Sequence, residues 1–144
     1  MAQWKLTLSI LPETFAVYRL APGAAIPDWA VAGSFFSITR TPQEISIVCP
    51  QADVPAGIIS EQGWRCLKVE GSLDFRFTGV LASLASPLAV AGVSIFAIAT
   101  YDTDYLLIKE QDMSRAWLAL IDEGHQMLPM IGQGSSFLME DQPG

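Results

Sequence analysis

Charge is scarce in this sequence. Asp, Glu, Lys and Arg make up 16% of its 144 residues, against a usual quarter. Eight residues are basic, and they are scattered: Lys5, Arg19, Arg40, Arg65, Lys68, Arg76, Lys109 and Arg115. Phosphate binding needs clustered Lys and Arg, so nucleic-acid recognition is excluded as a partner class. Fifteen acidic residues bring the net charge to -7. That surplus favours solubility, and mildly favours a cationic ligand over an anionic one.

Metal-binding and nucleophilic residue types are just as sparse. The chain has one histidine, His125, and two cysteines, Cys49 and Cys66. One His cannot build a metal cluster, and the Cys spacing matches neither a zinc nor a redox motif. Each Cys sits in an apolar, strand-like stretch where a free thiol behaves as a small hydrophobe. No G-x-S-x-G or phosphate-loop signature occurs. Glu70, Asp74, Asp102 and Asp104 gather around two loops. Paired carboxylates can do acid–base work, but at strand ends and turns they more often cap or face water. His125 follows a helix end and reads as structural. The expectation is no catalytic residues, no metal and no cofactor, hence not an enzyme.

A secretory leader is not expected either. Met1 to Lys5 lacks a charged n-region followed by an apolar h-region, which makes the cytoplasm the expected compartment. Val80 to Thr100 carries no charge and is long enough to be scored as a membrane span. Pro87 and Gly92 interrupt it, and Ser83, Ser86 and Ser94 dilute it. No Lys/Arg cluster flanks it. No membrane partner is expected.

What the chain does hold is apolar: 51% of its residues are hydrophobic. Leu6, Leu8 and Ile10 alternate as one face of a strand from Lys5 to Leu11. Phe15 to Leu20 is again strand-like, and Pro27 starts a helical turn. Phe35 to Thr41 and Glu44 to Cys49 form a hairpin, followed by a poor helix slot holding Pro55 and Gly57. Trp64 to Glu70 is a strand. Thr78 is read as the N-cap of a helix running from Gly79 to Gly92, with a kink or short break at Pro87. Val93 to Thr100 and Asp104 to Lys109 are strands around a tight turn. Asp112 caps a helix with Met113, Ala116, Trp117, Leu120 and Ile121 on one stripe. Gly124 ends it, and a last edge strand lies between His125 and Ile131.

The order β-α-β-β-α-β is the ferredoxin-like unit. Positions about 60 residues apart repeat each other: Trp4 and Trp64, Phe15 and Phe75, Pro27 and Pro87, Phe36 and Phe96, Ile38 and Ile98. The register is read as holding through the hairpin without a gap. The fold class is therefore α+β, with two tandem ferredoxin-like (βαββαβ) units, the first with degraded helices. The boundaries are read as 1-63, 64-131 and a flexible tail over 132-144.

One constellation suits a small ligand. Leu73-Asp74-Phe75-Arg76-Phe77 runs into a helix start at Thr78-Gly79-Val80, where free amides fit a carboxylate. Gly79 permits close approach. Thr100, Tyr101 and Asp104 of the hairpin add an aromatic wall and an acid for an ammonium group. An ordinary N-cap beside an ordinary turn is the plainer reading of the same residues.

Phe77-Thr78-Gly79-Val80-Leu81, with Leu88-Ala89-Val90-Ala91-Gly92-Val93-Ser94-Ile95, resembles the ACT-domain pattern. The segment Ile98 to Glu110 is similar to the tandem-ACT branch that includes the cytosolic arginine sensors and, more distantly, to aspartate kinase regulatory domains. The resemblance covers Glu70 to Gly124 specifically, and Lys5 to Cys49 more weakly. It implies an ACT-domain module without catalysis that binds a free amino acid at an ACT–ACT interface. Phe77, Thr78, Gly79, Val80, Thr100, Tyr101 and Asp104 would come from one domain, Ser94 and Ile95 from its neighbour. That neighbour is a second copy in a homodimer, or the chain's own first unit, with Ser34-Phe35 instead. A regulated protein partner is implied as well. The arginine sensors place an acid near the position of Phe77, so the identity of the amino acid stays open. The alternative is a protein-interaction or structural module with a decayed ligand site.

Overall fold

The computed structural model describes residues 5–71 and 78–128. In chain order the strands and helices are β1 (Thr7–Leu20), β2 (Ser37–Arg40), β3 (Ile45–Pro50), β4 (Glu61–Val69), α1 (Val80–Val90), β5 (Ile95–Ala99), β6 (Asp104–Lys109), α2 (Met113–Asp122) and β7 (Gln126–Leu128). Short 3₁₀ turns lie at Asp28–Val31, Gln51–Asp53 and Glu110–Asp112. The chain divides into two compact units, Glu13–Trp64 and Met1–Pro12 with Arg65–Gly144.

The smaller unit, Glu13–Trp64, runs strand, 3₁₀ turn, strand, strand, 3₁₀ turn, strand. This is the βαββαβ order with each helix reduced to a single turn. Its β1 segment pairs antiparallel with β3, from Phe15 opposite Pro50 to Leu20 opposite Ile45. β2 pairs antiparallel with β3 on the other side. Ala30, Ile45, Ile47 and Cys49 form its core, with Tyr18, Trp29, Ile38 and Val54 packed around them. Tyr18 and Trp29 meet edge to face at 5.2 Å, and Phe15 meets Phe35 the same way at 5.4 Å.

The sequence explains why one helix stops short. Pro50 precedes the turn Gln51–Asp53 with φ −57° and ψ 133°, and Lys109 precedes Glu110–Asp112 with φ −59° and ψ 138°. Both copies thus leave the strand in the same way. Met113 then continues in helical geometry, whereas Val54 is extended. Pro55 follows Val54, and a residue before proline is pushed out of the helical region.

In the larger unit, β5, β6, β4, β1 and β7 lie side by side in that order. β7 runs parallel to β1, Thr7 to Ser9 opposite Gln126 to Leu128. Inward side chains of the sheet (Leu6, Leu8, Ile10, Leu67, Val69, Leu106, Ile108) meet Val80, Leu84 and Leu88 of α1 and Met113, Ala116, Trp117 and Leu120 of α2 in one core. This places Lys5 to Pro12 with the larger unit, whereas the sequence reading joins them to residues 13-63. The reason is their apolar face, which completes the larger core rather than the small one.

Both helices end as expected. Gly92 (φ 77°) and Gly124 (φ 97°) take the left-handed position just past α1 and α2. Val93 N–H bonds Leu88 O and His125 N–H bonds Leu120 O, the six-residue closure of a Schellman cap. Two details differ. Gly79, not Thr78, is the N-cap of α1, at φ 80° and ψ 0°. Ile121 is 44% exposed and stands outside the inward stripe of α2. β5 is also shorter than the expected strand from Val93 to Thr100.

α1 runs unbroken through Pro87. No helix among the described residues is long and apolar enough to cross a membrane. The tail assigned to 132-144 lies outside the described residues, as does Phe75 of the proposed repeat.

The hairpins carry the repeat, with one change. Thr41 N–H bonds Glu44 O at 2.8 Å, and Thr100 N–H bonds Thr103 O at 2.8 Å. In each turn the Thr side chain also receives a backbone N–H, from Glu44 or from Thr103. Thr41 therefore corresponds to Thr100, one residue short of the offset of about 60. The sequence matches Phe36 with Phe96 and Ile38 with Ile98 are off by one, which in a strand moves a residue to the opposite face.

Candidate functional site

Three segments of the larger unit meet at one end of its sheet. β4 ends at Val69, and the chain leads from there towards the start of α1. The hydroxyl of Thr103, which is buried, donates to Val69 O at 2.7 Å. This fixes the β5–β6 turn to the end of β4, on the side where α1 begins.

The start of α1 is open. Thr78 and Gly79 are exposed, Val80 is buried, and the N-cap residue, Gly79, has no side chain with which to cap the helix. The first intrahelical bond runs from Ser83 N–H to Gly79 O. The amides of Val80, Leu81 and Ala82 precede it and have no partner within the helix. The first turn holds no acidic residue, so the helix itself carries no charge that offsets its positive end.

On the hairpin, Asp104 opens β6 opposite Ala99. Its carboxylate is half-buried and has no hydrogen-bond or ion-pair partner among the described residues. Burial alone pushes its pKa above the ordinary carboxylate value. Tyr101 projects from the turn, 81% exposed. Thr100 is turned inward on its own loop: its hydroxyl donates to Thr103 O at 3.0 Å and accepts from Thr103 N–H at 3.2 Å. Its primary role is to close the turn.

The members of the acidic cluster read from the sequence have different surroundings. The carboxylate of Glu70 accepts a hydrogen bond from the Ser9 hydroxyl, and Asp102 is exposed at the turn. Asp74 lies outside the described residues, and so does Phe77. Among the described residues no group of three or more His, Cys, Asp or Glu is placed to hold a metal ion.

Thr78, Gly79, Val80, Thr100, Tyr101 and Asp104 thus belong to one end of the unit. Ser94 and Ile95 belong to the other: Ile95 pairs with Ile108, four positions along from the Ala99–Asp104 pair. Within one unit the strand holds these two groups apart. Ser94 is exposed and Ile95 half-buried, at the head of strand β5, the last of its sheet.

His125, read from the sequence as a structural residue at a helix end, has partners that the sequence did not name. His125 is buried, and Leu6 N–H donates to its Nδ1 at 3.1 Å. Its Nε2 lies 2.9 Å from Ser83 O, the carbonyl that Pro87 leaves without its helical donor. The signal was present: one proline four residues after Ser83, and one histidine in the whole chain.

Comparison with known proteins places these features in context. Residues 59–122 match the family model described as the ACT domain. Residues 13–57 match a separate model of an N-terminal domain. The chain is 29% identical over 119 residues to the cytosolic arginine sensor for mTORC1 subunit 1 of Mus musculus, covering 71% of this chain and 36% of that one. The human protein of the same name is 30% identical over 91 residues, covering 56% and 28%. The chain thus spans about a third of the length of these curated relatives. Among solved structures, protein Atu0741 from Agrobacterium tumefaciens has a TM-score of 0.82 and 38% identity, over 88% of this chain and 94% of that one. The regulatory subunit of aspartate kinase from Thermus thermophilus has a TM-score of 0.54 at 12% identity, over 81% and 96%. That likeness is one of fold.

Proposed function

We propose that the chain, whose residues 59–122 match the ACT-domain model, is a non-catalytic regulatory module that binds a free amino acid. Asp104 carries this reading. A half-buried carboxylate with no partner among the described residues is costly, and burial holds its pKa up. An ammonium group would relieve that cost. At the same end of the unit, the first-turn amides of α1, which have no partner within the helix, offer the complementary place for a carboxylate. An acid and a set of such amides at one end of a unit suit the two charged ends of an amino acid.

The site is completed by a second copy. Ser94 and Ile95, at the far end of β5, supply backbone groups to the neighbour's Thr78, Gly79, Val80, Tyr101 and Asp104. Phe77 lies next to this surface in sequence. In this reading the chain works as a homodimer in the cytoplasm, and ligand occupancy is passed to a regulated protein partner. The relatives named for arginine sensing support the sensor class, and they leave open which amino acid is bound.

A thermal-shift screen of the common amino acids tests the reading. A ligand that binds only the folded state raises the melting temperature by mass action. The expected result is a concentration-dependent rise for one amino acid or a few related ones. No rise with any of them, at millimolar concentrations, would leave an interaction module with a decayed site.

A further inference from the structure

Four of the nine exposed large hydrophobic residues among the described residues lie on the two helices: Leu81, Val90, Leu118 and Ile121. Between α1 and α2 runs an open groove of about 260 Å³, lined by Pro87, Val90, Ala91, Ala119, Asp122 and Glu123. A second depression alongside it is lined by Ala91, Arg115, Leu118, Ala119 and Asp122. Along α2, Arg115, Leu118, Ala119 and Asp122 are spaced i, i+3, i+4 and i+7. They form one outward stripe, opposite the inward Met113, Ala116, Trp117 and Leu120. The stripe has an apolar middle, a cation at one end and an anion at the other.

We propose that this face is the surface on which a second copy of the chain docks, α2 against α2 in antiparallel orientation. A two-fold axis passing between Leu118 and Ala119 sets residue 115 of one protomer opposite residue 122 of the other. Arg115 then faces Asp122 at both ends of the contact, about 10 Å of helix apart, with Leu118 filling the groove beside Ala91 and Ala119.

The charged ends are available for this. Asp122 is exposed and has no ion-pair partner among the described residues. Arg115 donates to Ala91 O at 3.1 Å and pairs with Asp112, yet its side chain stays 54% exposed and has further N–H donors. The charges also decide against other occupants. A parallel arrangement would set Arg115 against Arg115. An interfacial helix on a lipid surface needs a basic polar face, and this groove has Asp122 and Glu123 in its lining. The contact gives the dimer proposed above its surface, and rests on that proposal only for the existence of a dimer.

Light scattering at low micromolar concentration, on the full chain, tests it. The parent is expected at the mass of two chains, and Leu118→Asp at the mass of one. Asp122→Lys, which breaks no side-chain hydrogen bond or ion pair among the described residues, should weaken association by at least about tenfold. Combining it with Arg115→Glu reverses both signs, and should restore the dimer. If Leu118→Asp and Asp122→Lys associate as tightly as the parent, the helix face is not the interface, although the dimer itself stands. A parent of one-chain mass overturns both; the amino-acid thermal shift then decides separately whether a ligand binds.

Discussion

The imidazole of His125 takes the place of the backbone donor that Pro87 removes from Ser83. Its Nε2 sits 2.9 Å from Ser83 O, and its Nδ1 receives Leu6 N–H at 3.1 Å. A ring that accepts at Nδ1 carries its proton on Nε2, so the neutral ring satisfies both groups at once. One side chain therefore joins the start of β1, the first turn of α1 and the end of α2. It also explains how a helix with an internal proline stays continuous.

His125→Leu should cost at least about 2 kcal/mol, because it leaves Leu6 N–H and Ser83 O buried without partners. In a Pro87→Ala background the backbone N–H regained at position 87 can reach Ser83 O, and only Leu6 N–H is orphaned. The same substitution should then cost roughly 1 kcal/mol less. Urea denaturation of the four proteins measures this coupling. Equal costs in both backgrounds would show that His125 does not serve the carbonyl freed by Pro87.

Gly79 holds a left-handed conformation at the N-cap of α1. Alanine there should lower stability by about 1 to 2 kcal/mol, the cost of placing a Cβ in that region. Asn tolerates it better, so Gly79→Asn should lose less. Both should shift the urea midpoint with an unchanged slope. A neutral Gly79→Ala would show that the helix start readily adopts another geometry.

Cys49 is fully buried, and burial, with a smaller contribution from Asp53, raises the pKa of its thiol. Since the thiolate is the reactive form, Cys49 should resist an aromatic disulfide reagent at neutral pH. Cys66 is equally buried. Both should react at once in guanidinium chloride. Rapid labelling of either in the folded chain would contradict the packing of its strand.

Much of this fold was legible. The stripe Met113, Ala116, Trp117 and Leu120 marks α2, Gly92 and Gly124 mark both helix ends, and Asp104–Lys109 is a strand with the bounds expected of it. The reduction of one helix to a turn was legible as Pro55. What local pattern could not give was which core a strand serves. Thr7–Leu20 is one uninterrupted strand, and no break in it marks Pro12, where membership of a unit changes. Register was hidden for a similar reason: residue matches favour an even offset, and only the Thr41 and Thr100 turn bonds show the slip. Of the site, Asp104 and the start of α1 could be named from residue type. That Thr100 spends its hydroxyl on its own turn, and that Ser94 lies at the opposite end of the strand, needed the hairpin register.

Asp104 should trade stability for binding. Its pKa in the folded chain is raised by burial, so the folded state holds this proton more tightly than the unfolded one. Stability then falls as pH rises from the ordinary carboxylate range through the raised value. At neutral pH the charged form is a net cost, which Asp104→Asn removes. The variant should melt higher than the parent at pH 7, and the gain should vanish at acidic pH, where the parent carboxyl is protonated too. Binding should move the other way. An amide can accept a hydrogen bond from an ammonium group but carries no charge to pair with it, and losing one partner of a buried charged contact costs about 2–5 kcal/mol. The thermal shift given by the best amino acid should therefore shrink by at least the equivalent of a tenfold loss in affinity. Parallel melts of the two proteins, with and without the amino acid, across pH 4 to 8, would show both effects. An Asn variant that is less stable at pH 7 and binds as the parent does would make Asp104 a turn residue and remove the ammonium contact from the proposed site.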